Sequence, residues 1–384
     1  MMRVRDHEDL RRTHLPVVKS GGKVCSASYG IYVPGLIIFL LAIFLGVPRQ
    51  AQAKASFSLL QAPGGLAGTL VGTNYRNSFG VMNALGLGTP ATGLTVTALS
   101  NGALYFTQYQ VQFQGLGGNQ SAKLTAYVST NFAHPAAQIL QNCPSTSTCS
   151  TSGGYSAMST IQGAPSIVIA TLGNATVTAG LGIFLPDNDG GGAFAGVDNT
   201  GVITFTMVDT RNNNVLQTAT FSFNGAPTNT VQTAVRLTLA SATGGLTITP
   251  AADFSMNFGK VNGLGFGPGA GLTTVAASGG VVYSTPYVIQ PVFTDFNSTT
   301  ATVKTFVSSN FAHPAILILR DATSSPGPYT NIGLTAGTAT QITNAAADRS
   351  SITRFLGLFV SNANGATAFT GSDSATLTFT LTVP

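Results

Sequence analysis

One eight-residue string occurs twice in this chain, and that repetition limits the folds open to it more than any other feature. Ser129-Thr130-Asn131-Phe132-Ala133-His134-Pro135-Ala136 returns as Ser308-Ser309-Asn310-Phe311-Ala312-His313-Pro314-Ala315, 179 positions later. Phe79-Gly80, Asn83 and Leu85-Gly86 match Phe258-Gly259, Asn262 and Leu264-Gly265 at the same spacing, and Tyr105 and Tyr109 match Tyr283 and Tyr287 at 178. Leu181-Gly182, Phe184 and Asp198 pair with Leu356-Gly357, Phe359 and Asp373 at 175, and Ile203-Thr204-Phe205-Thr206 pairs with Leu377-Thr378-Phe379-Thr380 at 174. A unit of this length is several times the roughly 20–50 residues of a solenoid repeat. Each copy is therefore expected to be a whole domain with its own core, one over 54–230 and the other over 231–384.

The patterning inside each copy is that of strands. Thr376-Leu377-Thr378-Phe379-Thr380-Leu381-Thr382-Val383 alternates strictly, which puts Leu377, Phe379, Leu381 and Val383 on one face of a half-buried strand. Similar runs lie at Val202–Val208, Val235–Leu239 and Thr302–Val307. Asn101-Gly102 and Gly279-Gly280 are hairpin turn signals, because both dipeptides tolerate positive φ. No long segment has a 3.6-residue period, and threonine and valine favour a pleated surface. The fold class expected is all-β, with two tandem antiparallel β-sandwich domains; a closed barrel is the second choice. Each copy ends in a strand of its own, so neither is expected to need one from another molecule.

The first 53 residues have a different character. Arg3, Arg5, Arg11, Arg12, Lys19 and Lys23 precede an apolar run from Ile31 to Val47, followed by Ala51-Gln52-Ala53. A basic segment, an apolar core and a small-x-small site make a secretory signal peptide over 1–53, cleaved after Ala53. An uncleaved anchor is the alternative, since 17 apolar residues lie at the short end of what spans a bilayer. The formal charge of +5 resides mostly in this segment; from Lys54 onward ten basic side chains face nine aspartates, a net +1, with no glutamate. Nucleic acid is therefore not an expected partner, because no basic stripe remains to neutralise phosphates. Membrane contact is expected only through the signal segment.

Cys143 and Cys149 lie in that exported portion with five residues between them, and a local disulfide is the simplest outcome. The second copy has Thr323-Ser-Ser-Pro-Gly-Pro328 at that place, where prolines restrict the loop instead. His134 and His313 are the repeated histidines. A general base needs a nucleophile and an orienting carboxylate, and no repeated carboxylate lies within fifty residues of His134. A structural role in a strand-exit loop is expected, with ligand binding as the sharper alternative. Pro186-Asp187-Asn188-Asp189-Gly190-Gly191-Gly192 has the alternate carboxylates of a calcium loop at Asp187 and Asp189, but its counterpart Ser361-Asn362-Ala363-Asn364-Gly365-Ala366 has asparagines. A hairpin tip explains both versions. Asp198 and Asp373 are the one repeated carboxylate, expected to cap a turn. No cofactor motif is present in the sequence, and glycine stretches such as Gly263–Gly269 lack the lysine of a phosphate loop.

With Phe258-Gly259-Lys260-Val261 opening one copy, Phe79-Gly80-Val81 the other, and the alternating last strand, the chain resembles the immunoglobulin-like and pilin-like β-sandwiches of bacterial exported and surface proteins. That resemblance implies a non-enzymatic structural or adhesive protein located outside the cytoplasm, in the periplasm, on the cell surface or in the medium. A glycan-binding, lectin-like protein is the alternative, with Tyr105, Tyr109, Tyr283 and Tyr287 as stacking faces for a cell-surface glycan. The absence of tryptophan counts against it.

Overall fold

A computed structural model describes residues 54–67, 69–71, 74–250, 253–363 and 369–384. The expected signal sequence and its cleavage site lie outside the described residues. Among the described residues no helix is long and apolar enough to cross a membrane.

The main strands before residue 230 are β1 (Ser56–Gln61), β2 (Gly102–Gln114), β3 (Ala122–Thr130), β4 (Ile139–Cys143), β5 (Ser166–Leu172), β6 (Thr176–Pro186), β7 (Val202–Asp209) and β8 (Val215–Ser222). One sheet runs in the order β1-β2-β6-β4, and the other runs β5-β3-β7-β8 and continues through two short strands, Asn74–Arg76 and Thr69–Val71. Alternation places Leu124, Ala126 and Val128 of β3 and Ile203, Phe205 and Met207 of β7 inward, all buried, against Val111 and Phe113 of β2 and Leu181 and Ile183 of β6. The result is a sandwich with one core between two sheets.

The second set is β9 (Ala234–Ser241), β10 (Gly280–Thr294), β11 (Thr300–Ser309), β12 (Leu317–Ala322), β13 (Thr340–Ala347), β14 (Ile352–Ser361) and β15 (Thr376–Thr382). Its first sheet runs β9-β10-β14-β12 and its second β13-β11-β15, around a separate core centred on Tyr283, Ile289, Phe293 and Val303. Residues matched in the sequence pair alike: Leu181 faces Thr107 and Leu356 faces Thr285, while Phe205 faces Ala126 and Phe379 faces Thr305.

The two hairpins signalled by glycine form one residue earlier than expected, with loops at Ser100-Asn101 and Ser278-Gly279. Gly102 itself begins β2 at φ +149°, where a Cβ would run into the Leu185 carbonyl. Pairing is not wholly antiparallel either. β8 runs parallel to Asn74–Arg76, and Thr230–Val231 runs parallel to Val81–Met82.

Candidate functional site

The two halves part company at the outer edge of the last matched strand. In the first half β7 pairs with β8 along its length, Ile203 opposite Phe221, Phe205 opposite Ala219 and Met207 opposite Gln217. Beyond β8, Phe223 is fully buried and packs edge-on against Phe79 at 5.6 Å and on Phe132 at 5.3 Å. In the second half, among the described residues, β15 pairs with β11 alone and its other edge has no strand partner. Among the described residues the second half thus has no strand in the place that β8 takes in the first.

Packing registers the difference. The inward residues of β7 are buried to 1% exposure or less, whereas Leu377, Phe379 and Leu381, with the same alternation, are only half-buried. Burying such a side chain fully contributes about 1.5–3 kcal/mol, so three incompletely covered ones leave an appreciable driving force for a further strand. Phe254, at the position of buried Tyr75, is 38% exposed. Between the sheets lies an open groove of ≈ 2340 Å³ lined by Leu239, Leu246, Tyr287, Leu356, Leu358 and Phe379. The same place in the first half, bounded by Leu59, Leu66, Tyr109, Leu181, Phe205 and Phe221, keeps only ≈ 70 Å³. Unpaired strand edges beside apolar grooves take up extended peptides through backbone hydrogen bonds, with alternate side chains filling pockets.

The duplicated histidines acquire acidic partners that chain distance hid. Asp198 accepts hydrogen bonds from the backbone N–H groups of Ala133 (3.2 Å), His134 (2.8 Å) and Thr200 (3.4 Å) and from the Thr200 hydroxyl (2.9 Å), and it also lies 3.2 Å from His134 Nδ1. Asp373 does the same for Ala312 and His313, each at 3.0 Å, with His313 Nδ1 also at 3.0 Å. Both imidazoles lie flat on a phenylalanine, Phe194 or Phe369, with centroids 3.7 Å apart. Burial pushes Asp198 up, but the His134 and Ala133 amides and the Thr200 hydroxyl outweigh it and hold its pKa below the usual range. The Ala312 amide leads the donors that bring Asp373 down to about 2. The pairs fasten the Asn-Phe-Ala-His-Pro loop to the segment before the last strand, and the repeated carboxylate that seemed to cap a turn closes this contact.

Three of the four tyrosines, Tyr105, Tyr283 and Tyr287, are buried and offer no stacking face. Tyr105 and Tyr283 are fully buried, each giving its hydroxyl proton to a main-chain carbonyl, Asn83 or Asn262, at 2.9 Å while accepting the same residue's N–H at 3.0 Å. Tyr287 is 3% exposed at the groove floor and Tyr109 packs half-buried on the first core. Burial raises the phenols of Tyr105, Tyr109 and Tyr287.

Cys143 and Cys149 form the expected disulfide. The aspartate-rich loop is not an exposed hairpin tip. Asp295 N–H donates to the Asn188 carbonyl and Gly190 N–H to the Phe296 carbonyl, both at 2.8 Å, so the loop meets the second set of strands. Asp187, Asp189 and Asp348 bring ligand atoms within 4.8 Å of one another. Arg349 contacts both Asp187 and Asp348, which supplies positive charge to this cluster from the chain itself. Burial first, and then the neighbouring acids, raise Asp189 to about 6 and Asp295 to about 7.

No protein-family model matches the sequence, and neither does any curated protein. Solved structures do show similarity. A tip adhesin, CupB6, from Pseudomonas aeruginosa shares 9% identity over 85% of this chain and 95% of its own, with a TM-score of 0.28. The chaperone–tip adhesion subunit complex of the archaic chaperone-usher Csu pili of Acinetobacter baumannii shares 10% identity over 85% of this chain and 100% of the other, at 0.33. A chaperone–tip adhesin complex of CFA/I fimbriae shares 14% identity over 84% and 97%, at 0.23. Overlap at this level carries no information about function.

Proposed function

We propose that this is an exported, non-enzymatic structural or adhesive surface protein built from two β-sandwich modules, 54–230 and 231–384, the second of which takes a further β-strand into its open groove. The observation that carries the reading is the contrast between one site in two states: closed by β8 to ≈ 70 Å³ in the first half, open at ≈ 2340 Å³ beside an unpaired strand in the second. Lateral association through a strand is a means of assembly, which suits a structural or adhesive protein better than a hydrolase. The His–Asp pairs fasten a loop to the segment before the last matched strand in each half. With the rings of Tyr105, Tyr283 and Tyr287 buried, a glycan-stacking role draws no support from them.

The test is to complete the second module in cis. A variant carrying a short glycine-serine linker and a copy of residues 215–232 after Pro384 is expected to melt several degrees higher and to protect the amides of Leu377–Leu381 from hydrogen exchange. Unchanged melting with those amides already protected in the parent protein would rule the reading out. Fractionation with surface proteolysis tests location, and recovery of an unprocessed cytoplasmic protein would contradict export.

A further inference from the structure

Where the two sandwiches meet, carboxylates from three separate stretches of chain converge. Asp187 and Asp189 belong to the segment after β6, and Asp348 to the turn between β13 and β14. Asp189 Oδ1 accepts the Phe296 N–H at 3.2 Å and Asp348 Oδ1 accepts the Phe293 N–H at 2.8 Å, so the end of β10 positions both groups. One oxygen from each of Asp187, Asp189 and Asp348 lies within 4.8 Å of the other two. Oxygens that surround a Ca²⁺ ion at about 2.3–2.6 Å span no more than about 5 Å, so these three can share one ion.

Proximity of acids would mean little without the state of Asp187. Its side chain is only 4% exposed, and neither carboxylate oxygen accepts a hydrogen bond. Arg349 Nη1 touches Asp187 Oδ2 and also lies 2.7 Å from Asp348 Oδ2, so one guanidinium is divided between two acids while Asp187 Oδ1 has no hydrogen-bond partner. Asp295, itself buried, adds a further charge that acts on Asp189. Four carboxylates against one guanidinium leave an excess of three negative charges when all are ionised. Such charge, held away from water, is costly unless a cation joins it. A donor set made only of carboxylate oxygens suits a hard ion, not a transition metal.

We propose that the junction binds one Ca²⁺ ion through Asp187, Asp189 and Asp348, and that Arg349 leaves Asp187 as the ion enters. The Arg349 side chain is 38% exposed, which gives its guanidinium a way out to solvent. Water completes the shell of about six to eight oxygens that Ca²⁺ takes. Because the ligands come from both halves, the ion fastens one sandwich to the other. The loop that matches Asp187–Asp189 in the second half carries Asn362 and Asn364 instead, and the Asn362 N–H bonds to the Gly279 carbonyl of its own half. The site therefore occurs once per chain, at the contact, and not once per module. It shares no residue with the strand groove and stands independently of what binds there.

The test is a calorimetric titration of CaCl₂ into the purified protein after dialysis against a chelator, with melting followed in chelator, in Ca²⁺ and in Mg²⁺. One ion is expected to bind with a dissociation constant of roughly 10⁻⁴–10⁻³ M and to raise the melting temperature by several degrees, with a smaller shift from Mg²⁺, which demands closer octahedral oxygens. Asp187→Asn combined with Asp348→Asn should weaken Ca²⁺ at least tenfold while melting in chelator no lower than the parent protein, which shows that the fold is kept. Arg349→Gln should bind Ca²⁺ severalfold more tightly and regain in Ca²⁺ the stability it loses in chelator. Absence of both heat and a melting shift overturns the site. Unchanged Ca²⁺ affinity in the aspartate variant, or equal shifts from Ca²⁺ and Mg²⁺ in all variants, overturns it as well. Weaker Ca²⁺ binding by Arg349→Gln overturns the exchange of guanidinium for ion.

Discussion

Asp198 accepts the His134 backbone N–H at 2.8 Å, joining residues that lie 64 positions apart, and Asp373 holds His313 in the same way across 60. Removing the Asp198 carboxylate orphans the amides of Ala133 and His134 together. Asp198→Ala is expected to cost about 2–4 kcal/mol in urea unfolding, on the scale of two hydrogen bonds to a charged acceptor. His134→Asn, which keeps the backbone bond, should cost less than about 1 kcal/mol. Because these carboxylates titrate below the unfolded value, their contribution is complete above about pH 4 and is lost as pH falls toward 2.

The junction loop carries the opposite dependence. Asp189 and Asp295 titrate at about 6 and 7 in the folded protein, above the unfolded carboxyl near 3.8, so the native state binds more protons between pH 4 and 7. Stability from these groups is complete below about pH 4 and is lost as pH rises through 7. Asp295→Asn keeps an amide able to sit at φ +63° and removes the charge. It should raise the melting temperature by several degrees at pH 8 and by little at pH 4.5; a uniform shift would place the effect elsewhere.

Arg354 and Asp321 form a buried ion pair beneath the groove, with side chains 10% and 1% exposed. Burial raises the Asp321 carboxyl and Arg354 opposes it. Arg354→Leu leaves a buried charge unpaired, with an expected loss of about 3–5 kcal/mol, whereas Arg354→Leu combined with Asp321→Leu should recover most of it. A double-mutant cycle in urea measures the coupling.

The Cys143–Cys149 disulfide closes a loop of six positions. Replacing both cysteines with serine is expected to lower stability by about 2 kcal/mol through the freed unfolded chain. Comparison of the oxidised and reduced parent protein should give a similar difference.

Local features were readable from the chain because their partners are near in sequence. The alternation of Thr376–Val383 marked a strand, and the spacing of Cys143 and Cys149 marked a bridge. The His–Asp contact escaped because its members lie more than fifty residues apart, although both were visible as repeated residues. The aspartate loop passed for a hairpin tip because the groups that engage it, Asp295, Asp348 and Arg349, come from the other half of the chain.

The sequence by itself determined an all-β chain of two matched halves, since periodicity and repetition are properties of order along the polymer. Only the tertiary structure decided that the halves are unequal. Leu377 and Phe379 have the alternation of Ile203 and Phe205, yet burial depends on what lies across the strand edge, and there β8 covers one pair and leaves the other open.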